Sequence, residues 1–98
     1  MAQKSKAIVI NENDNVATAI VPLNIGATVS LTAQGIIDKI RLVSSIPTGH
    51  KFALVAIPKG SDVIKYGEAI GQTTAPIAKG EYVHVHNVVG HRGKKEGR

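Results

Sequence analysis

One seven-residue pattern recurs four times along this chain and limits what it can fold into. An apolar residue is followed by two others, a glycine, two more residues and a second apolar residue. The copies run from Leu23 to Val29 around Gly26, Ile46 to Phe52 around Gly49, Ile57 to Val63 around Gly60, and Ile77 to Val83 around Gly80. In two of them proline takes the second turn position and glycine the fourth, which predicts a type I turn leading into a strand. The irregular spacing of the glycines excludes a solenoid, whose repeats keep a fixed period. What remains is a compact all-β domain of short, sharply bent strands joined by tight turns.

Composition agrees. Twelve Ile and eleven Val stand against four Leu, and β-branched side chains favour the pleated surface of a strand. Ala7-Ile8-Val9-Ile10 and Val16 to Val21 read as hairpin partners. The polar run Asn11 to Asn15 between them reads as their turn, because Asn and Asp bond to their own backbone. Lys65-Tyr66-Gly67-Glu68-Ala69-Ile70-Gly71 reads as a second turn between strands, with close backbone approach at Gly67 and Gly71. Over Gln34 to Ser45 the pattern is double. Ile36, Ile37, Ile40 and Val43 fall at helical spacing, whereas Leu42 fits a strand and no capping box precedes the run.

The 98 residues contain no Cys and carry a formal charge of +5. That length holds one domain, with neither a disulfide framework nor a thiolate metal site. The charge sits at the ends. Lys4 and Lys6 precede the body, and Arg92, Lys94, Lys95 and Arg98 follow it, opposed only by Glu96. Residues 7–90 balance six basic against six acidic side chains. The expected organisation is a flexible N-terminus over 1–6, one domain over 7–90 and a basic flexible tail over 91–98. A neutral body with three aromatic residues lacks both the basic stripe and the stacking platforms of a nucleic-acid binder, so nucleic acid is not an expected partner. No apolar run is long enough for a signal-peptide core or a membrane span, which makes the cytoplasm the expected location and leaves no role for a membrane.

Three constellations can carry chemistry. On a strand, Glu81 to Val88 would send Val83 and Val85 into the core and set Tyr82, His84 and His86 on the other face. Imidazoles two residues apart then stand ~7 Å apart at Cβ and can converge on one metal ion as half of its ligand set. The plain alternative is a pair of exposed histidines bonded to loops or water. His50 and Lys51, beside Gly49, are placed to meet an anionic ligand or to move a proton, provided the loop turns both to one side. The plain alternative there is a solvated polar turn. The third, around Tyr66, lacks the Gly-Lys-Ser/Thr ending of a phosphate loop.

In this order the constellations resemble a known family. Asp14-Asn15-Val16-Ala17, Ile46-Pro47-x-Gly49-His50-Lys51-x-Ala53-Leu54, Val63-Ile64-Lys65-Tyr66-Gly67-Glu68-x-Ile70-Gly71 and Ile77-x-x-Gly80-Glu81-x-Val83-His84-Val85-His86-Asn87 look like the SAF-type N-terminal domain or small subunit of the altronate/galactarate dehydratases. The small subunit of sulfolactate sulfo-lyase is similar as well. The resemblance spans residues 12–88 and implies a β-clip fold, lyase chemistry on a sugar acid in hexuronate metabolism, and a divalent metal, iron by expectation. It also implies a much larger catalytic region, so the chain is expected to act as a small subunit or N-terminal domain and not alone. On this reading His84 and His86 contact metal or substrate, His50 and Lys51 bind the carboxylate or shuttle protons, and Tyr66 gives a substrate hydrogen bond. A stand-alone sugar-acid-binding module is the competing expectation, since SAF-type domains also occur as appendages. A homo-oligomer is compatible with either.

Overall fold

The structure of the chain, a computed structural model, describes residues 6–9, 11–33 and 36–90. The expected tails fall on residues 1–5 and 91–98, outside the described residues, with only Lys6 inside them and exposed. Nine strands follow one another, with no helix among the described residues. They are β1 (Ala7–Ile8), β2 (Val16–Ala19), β3 (Thr28–Ala33), β4 (Ile36–Arg41), β5 (Lys51–Ala53), β6 (Asp62–Lys65), β7 (Glu68–Thr73), β8 (Tyr82–Val83) and β9 (Val88–Gly90). The all-β expectation holds. No helix of the described residues is long and apolar enough to cross a membrane.

Three small antiparallel sheets form, in the orders β1-β2-β5-β8, β3-β4 and β6-β7-β9. β1 pairs with β2 as the sequence predicts, in the register Ala7↔Ala19 and Ile8↔Thr18. The doubtful segment is strand β4, paired with β3 from Thr28↔Arg41 to Ala33↔Ile36. Its later residues alternate, with Ile40 and Leu42 buried and Lys39, Arg41 and Val43 exposed. A helix would have required Val43 on the buried side.

The recurring glycine motif forms the same unit four times. Ala27, His50, Ser61 and Glu81 donate their amides to the carbonyls of Asn24, Pro47, Pro58 and Ala78, at 3.0, 3.1, 3.3 and 3.0 Å. The turn thus begins one residue later than the proline spacing predicts, and glycine holds its third position with φ between 82° and 87°. That makes it type II, not type I, since only a residue free to take positive φ fits there. Each glycine amide then donates to a carbonyl on another segment, and that residue donates back to the one after glycine. Leu42, Ala19, Thr73 and Ala53 are these partners in chain order. Two bridges, Leu23↔Ile46 and Ile57↔Ile77, clip the bases of the β3–β4 and β6–β7 hairpins. The chain is therefore a clipped hairpin built twice.

The four-stranded sheet separates two apolar clusters, because neighbouring residues on a strand face opposite ways. Ala17 and Phe52 join one cluster with Ile40, Leu42 and Ile46. Val16, Ala53 and Val83 join the other with Ile57, Val63 and Ile77. The Asn11–Asn15 turn forms and grips the β6–β7 hairpin. Gly67 donates its amide to Asp14 Oδ1 at 2.8 Å, and Ile64 donates to Asn15 Oδ1 at 2.7 Å. The close approaches read at Gly67 and Gly71 are present, against the Asn11 side chain and the Val88–Val89 backbone and side chain respectively.

Candidate functional site

The Gly49 turn leads into the start of β5, and the antiparallel β8 ends beside it in the turn from His84 to Asn87, and this brings the candidate rings together. His50 closes the Gly49 turn and Lys51 opens β5. β5 pairs with β8 in the register Lys51↔Val83 and Phe52↔Tyr82. Tyr82 thereby reaches His50, and its hydroxyl shares a 2.6 Å hydrogen bond with His50 Nδ1.

The next residues depart from the strand that the sequence predicts. β8 ends at Val83, and His84 to Asn87 form a turn in which the Asn87 amide donates to the His84 carbonyl at 3.0 Å. Val83 is buried as expected, but Val85 is 80% exposed instead of facing the core. The cause is Asn87. Its carboxamide is buried, at 3% exposure. Its Oδ1 accepts the His84 amide at 2.9 Å, and its Nδ2 donates to the Tyr82 carbonyl at 2.8 Å. These bonds give the backbone partners that a continuing strand would have drawn from a neighbour, and the chain turns.

Turning places the two histidines on Tyr82. The His84 ring stacks parallel to the phenol ring, 6° apart in plane with centroids 5.5 Å apart, and the His86 ring lies 5.5 Å away at a tilt. His50 lies 4.8 Å from His84 and 5.6 Å from Tyr82. Four rings from two turns thus form one cluster, with His86 exposed and the other three half-buried. Tyr66 does not join it. It sits at the tip of the β6–β7 hairpin in the left-handed region, φ 57°, 54% exposed, with Lys65 Nζ 4.9 Å from its ring centroid. Tyr82 and Asn87 are the site residues to which sequence reasoning gave no role. The only signal for them was their place in the Glu81–Val88 run.

The electrostatics of the cluster are one-sided. Desolvation, then the positive charges of His50, Lys51 and His86, hold His84 below the usual histidine range. Burial, then Lys65, lowers Lys51. Both the turn histidine and the strand lysine therefore act on His84, although adjacent strand residues would have faced apart. Every charge acting on His84 and Lys51 is positive, so the cluster repels its own protonation and attracts an anion. Among the described residues no group of three or more His, Cys, Asp or Glu side chains is placed to hold a metal ion. His84 and His86 both lie against the Tyr82 ring, a pair of nitrogens short of a full ligand set.

A pH dependence follows. In the unfolded chain His84 titrates at its ordinary value, above its folded one, so the unfolded state binds more protons between the two values and the difference vanishes below both. Stability contributed by this group is present at neutral pH and is lost as the pH falls through the ordinary histidine range. The denaturant midpoint of the chain is expected to drop between about pH 7 and pH 5. The drop should be smaller in His84→Gln, and equal slopes in the two proteins would remove His84 as its source.

Fold and site together define a small all-β module that presents imidazoles, a phenol and an amine on one surface. Comparison with known proteins identifies it further. The model of the altronate/galactarate dehydratase SAF domain matches residues 5–91, and the chain belongs to that family. It is 46% identical over 80 residues to altronate dehydratase of Escherichia coli and 38% identical over 80 residues to altronate dehydratase of Bacillus subtilis, covering 82% of this chain in both cases. The subunit alpha of (2R)-sulfolactate sulfo-lyase from Chromohalobacter salexigens is 48% identical over 44 residues, covering 45% of this chain and 47% of that subunit. The chain spans only 15% of the length of either altronate dehydratase. The resemblance read from the motifs is to this same family.

Proposed function

We propose that this chain is the sugar-acid-contacting domain of a carbon–oxygen lyase. It acts with a larger catalytic region, carried on a separate subunit, to dehydrate an aldonate or aldarate such as altronate. The observation that carries this reading is the convergence of His50, Tyr82, His84 and His86 into one ring cluster, with Lys51 near enough for its charge to act on His84. A carboxylate substrate supplies the missing counter-charge. That His86 is exposed and the other three rings only half-buried favours completion by a second surface. The sulfo-lyase relative is itself named as a subunit, which supports the two-part arrangement.

The reaction removes a proton from the carbon next to the carboxylate, forms a carbon–carbon double bond and releases the β-hydroxyl as water. The Lys51 ammonium binds the carboxylate, where an anion is attracted and developing enolate charge is stabilised. His84, kept neutral at neutral pH by its neighbours, is able to accept a proton. The divalent ion implied by the family, iron by expectation, would be held chiefly by the catalytic region. With His84 taking the proton, His86 is the nitrogen this chain can add, and the ion would supply Lewis-acid stabilisation of enolate charge.

The test is co-expression with a catalytic region of the altronate dehydratase kind, followed by assays on altronate, galactarate and sulfolactate with metal analysis. Elimination activity is expected only in the mixture. Lys51→Met is expected to raise KM about 10–100-fold, the loss of one charge-assisted contact. Failure of the two parts to associate, or an unchanged KM in the variant, would sink the proposal. Desulfonation of sulfolactate in place of dehydration would reassign the substrate to the sulfo-lyase class. Saturable sugar-acid binding by the isolated chain, with no turnover in the mixture, would make it a binding module.

A further inference from the structure

Three imidazoles so close together cannot all play the same part, and the contacts of Tyr82 separate them. Its hydroxyl lies 2.6 Å from His50 Nδ1. Its ring stacks on His84 and lies tilted against His86, with centroids 5.5 Å apart in both pairs. Its carbonyl is held by Asn87 Nδ2 at 2.8 Å. Its place in β8 is set by pairing with Phe52, which is fully buried. Tyr82 is therefore anchored through its backbone, bonds His50 through its hydroxyl and lies against His84 and His86 through its ring.

The tautomer of an imidazole is set by the hydrogen bond that its other nitrogen makes. A phenol O–H is a stronger donor than a neutral imidazole N–H, so in the pair with neutral His50 the hydroxyl donates and Nδ1 accepts. The ring proton of His50 then resides on Nε2. We propose that Tyr82 is the positioning residue of this site, fixing His50 in the Nε2–H tautomer. His50 is thereby a hydrogen-bond donor to a carboxylate or hydroxyl oxygen of the sugar acid, and the proton-accepting role is left to His84.

This assignment rests on the proposed function for the identity of the ligand, but not for the tautomer. It narrows the expectation drawn from the sequence, in which His50 binds the carboxylate or shuttles protons and Tyr66 gives a substrate hydrogen bond. A histidine whose Nδ1 is occupied and whose Nε2 carries the proton has no free lone pair for a proton on the substrate. It can steady an oxygen that gains negative charge during elimination, which is what a fixed donor does well.

The test uses the 98-residue chain labelled with ¹⁵N, with long-range ¹H–¹⁵N correlation of the imidazoles at a pH where all are neutral. In the native protein His50 is expected to show one tautomer, with an unprotonated, hydrogen-bonded Nδ1 and a protonated Nε2. In Tyr82→Phe, which keeps the ring and removes only the hydroxyl, the His50 pattern should relax towards that of exposed His86 in the same spectrum. A protonated Nδ1 in the native protein, or a His50 pattern identical in the two proteins, overturns the inference. The native spectrum decides the first point even if the variant fails to fold. In the complete enzyme Tyr82→Phe is expected to lower kcat/KM about tenfold, as for the loss of one oriented contact, while Tyr66→Phe leaves it unchanged. A relaxed tautomer with unaltered kcat/KM on every acid tested would overturn the placement of the substrate at this cluster, and with it the role of His50 as donor.

Discussion

Gly80→Ala is expected to lower the stability of the chain by about 2–5 kcal/mol, from left-handed backbone strain and overlap together. Gly80 has φ 83°, and a Cβ built on it would overlap the carbonyl oxygen of Arg41. Neither atom can retreat cheaply. The Gly80 amide is bonded to the Ala53 carbonyl at 2.8 Å, and its own carbonyl accepts the Val43 amide at 3.1 Å. These bonds tie the end of β4 to the four-stranded sheet. Gly60 is the control, with φ 82° but nothing within 4 Å of the position a Cβ would take. Gly60→Ala should cost only the backbone strain, about 1–2 kcal/mol. Urea denaturation of both variants measures the difference, and equal losses would mean that the contact with Arg41 imposes no constraint. In a domain of this size the larger figure approaches the whole stability expected of it, about 5 kcal/mol or a little more.

Asn87→Ala is expected to unmake the candidate site and to cost about 2–3 kcal/mol, because the His84 amide and the Tyr82 carbonyl both lose their partner. No buried side-chain nitrogen or oxygen among the described residues lacks a hydrogen bond in the native structure, so the variant introduces a defect where none exists. Asn87→Asp separates the two contacts. It keeps an acceptor for the His84 amide but sets an oxygen against the Tyr82 carbonyl. Ring-to-ring nuclear Overhauser contacts between Tyr82 and His86 report the geometry directly. They should vanish in Asn87→Ala, and their survival would show that something other than this carboxamide turns the chain after Val83.

These two residues also mark how far the sequence could be read. Gly80 was visible as a turn glycine because its pattern recurs four times, whereas its positive φ and its close approach to Arg41 were not. The pairing of β1 with β2, the Asn11–Asn15 turn and the close approaches at Gly67 and Gly71 were legible for the same kind of reason. Each follows from the local chemistry of a few adjacent residues. The turn type was misread because proline spacing alone suits two registers, and only the φ of glycine separates them. The Ile36–Arg41 segment was ambiguous because four apolar residues can satisfy either period until a partner strand chooses between them.

His50, Lys51, His84 and His86 were picked out as chemistry-bearing side chains by their types and by their neighbours, and the structure does gather them. Tyr82 was given no role, because nothing local tells that it will meet an imidazole from a turn 32 residues away. Tyr66, named for a substrate hydrogen bond, lies at the tip of the β6–β7 hairpin apart from the ring cluster. Val85 was assigned to the core because alternation was extended beyond the point where Asn87 ends the strand.

The sequence by itself determined the β class, the positions of the turns, the kind of side chains that carry the chemistry and the family to which the chain belongs. All of these depend on backbone conformational preference and on patterns of residue type. The tertiary structure decided the composition of the ring cluster, the stacking of His84 and the tilt of His86 against one phenol, and the hydrogen bond between that phenol and His50. Those depend on strand register and on a buried carboxamide, contacts between segments distant in the chain whose energies no single segment contains.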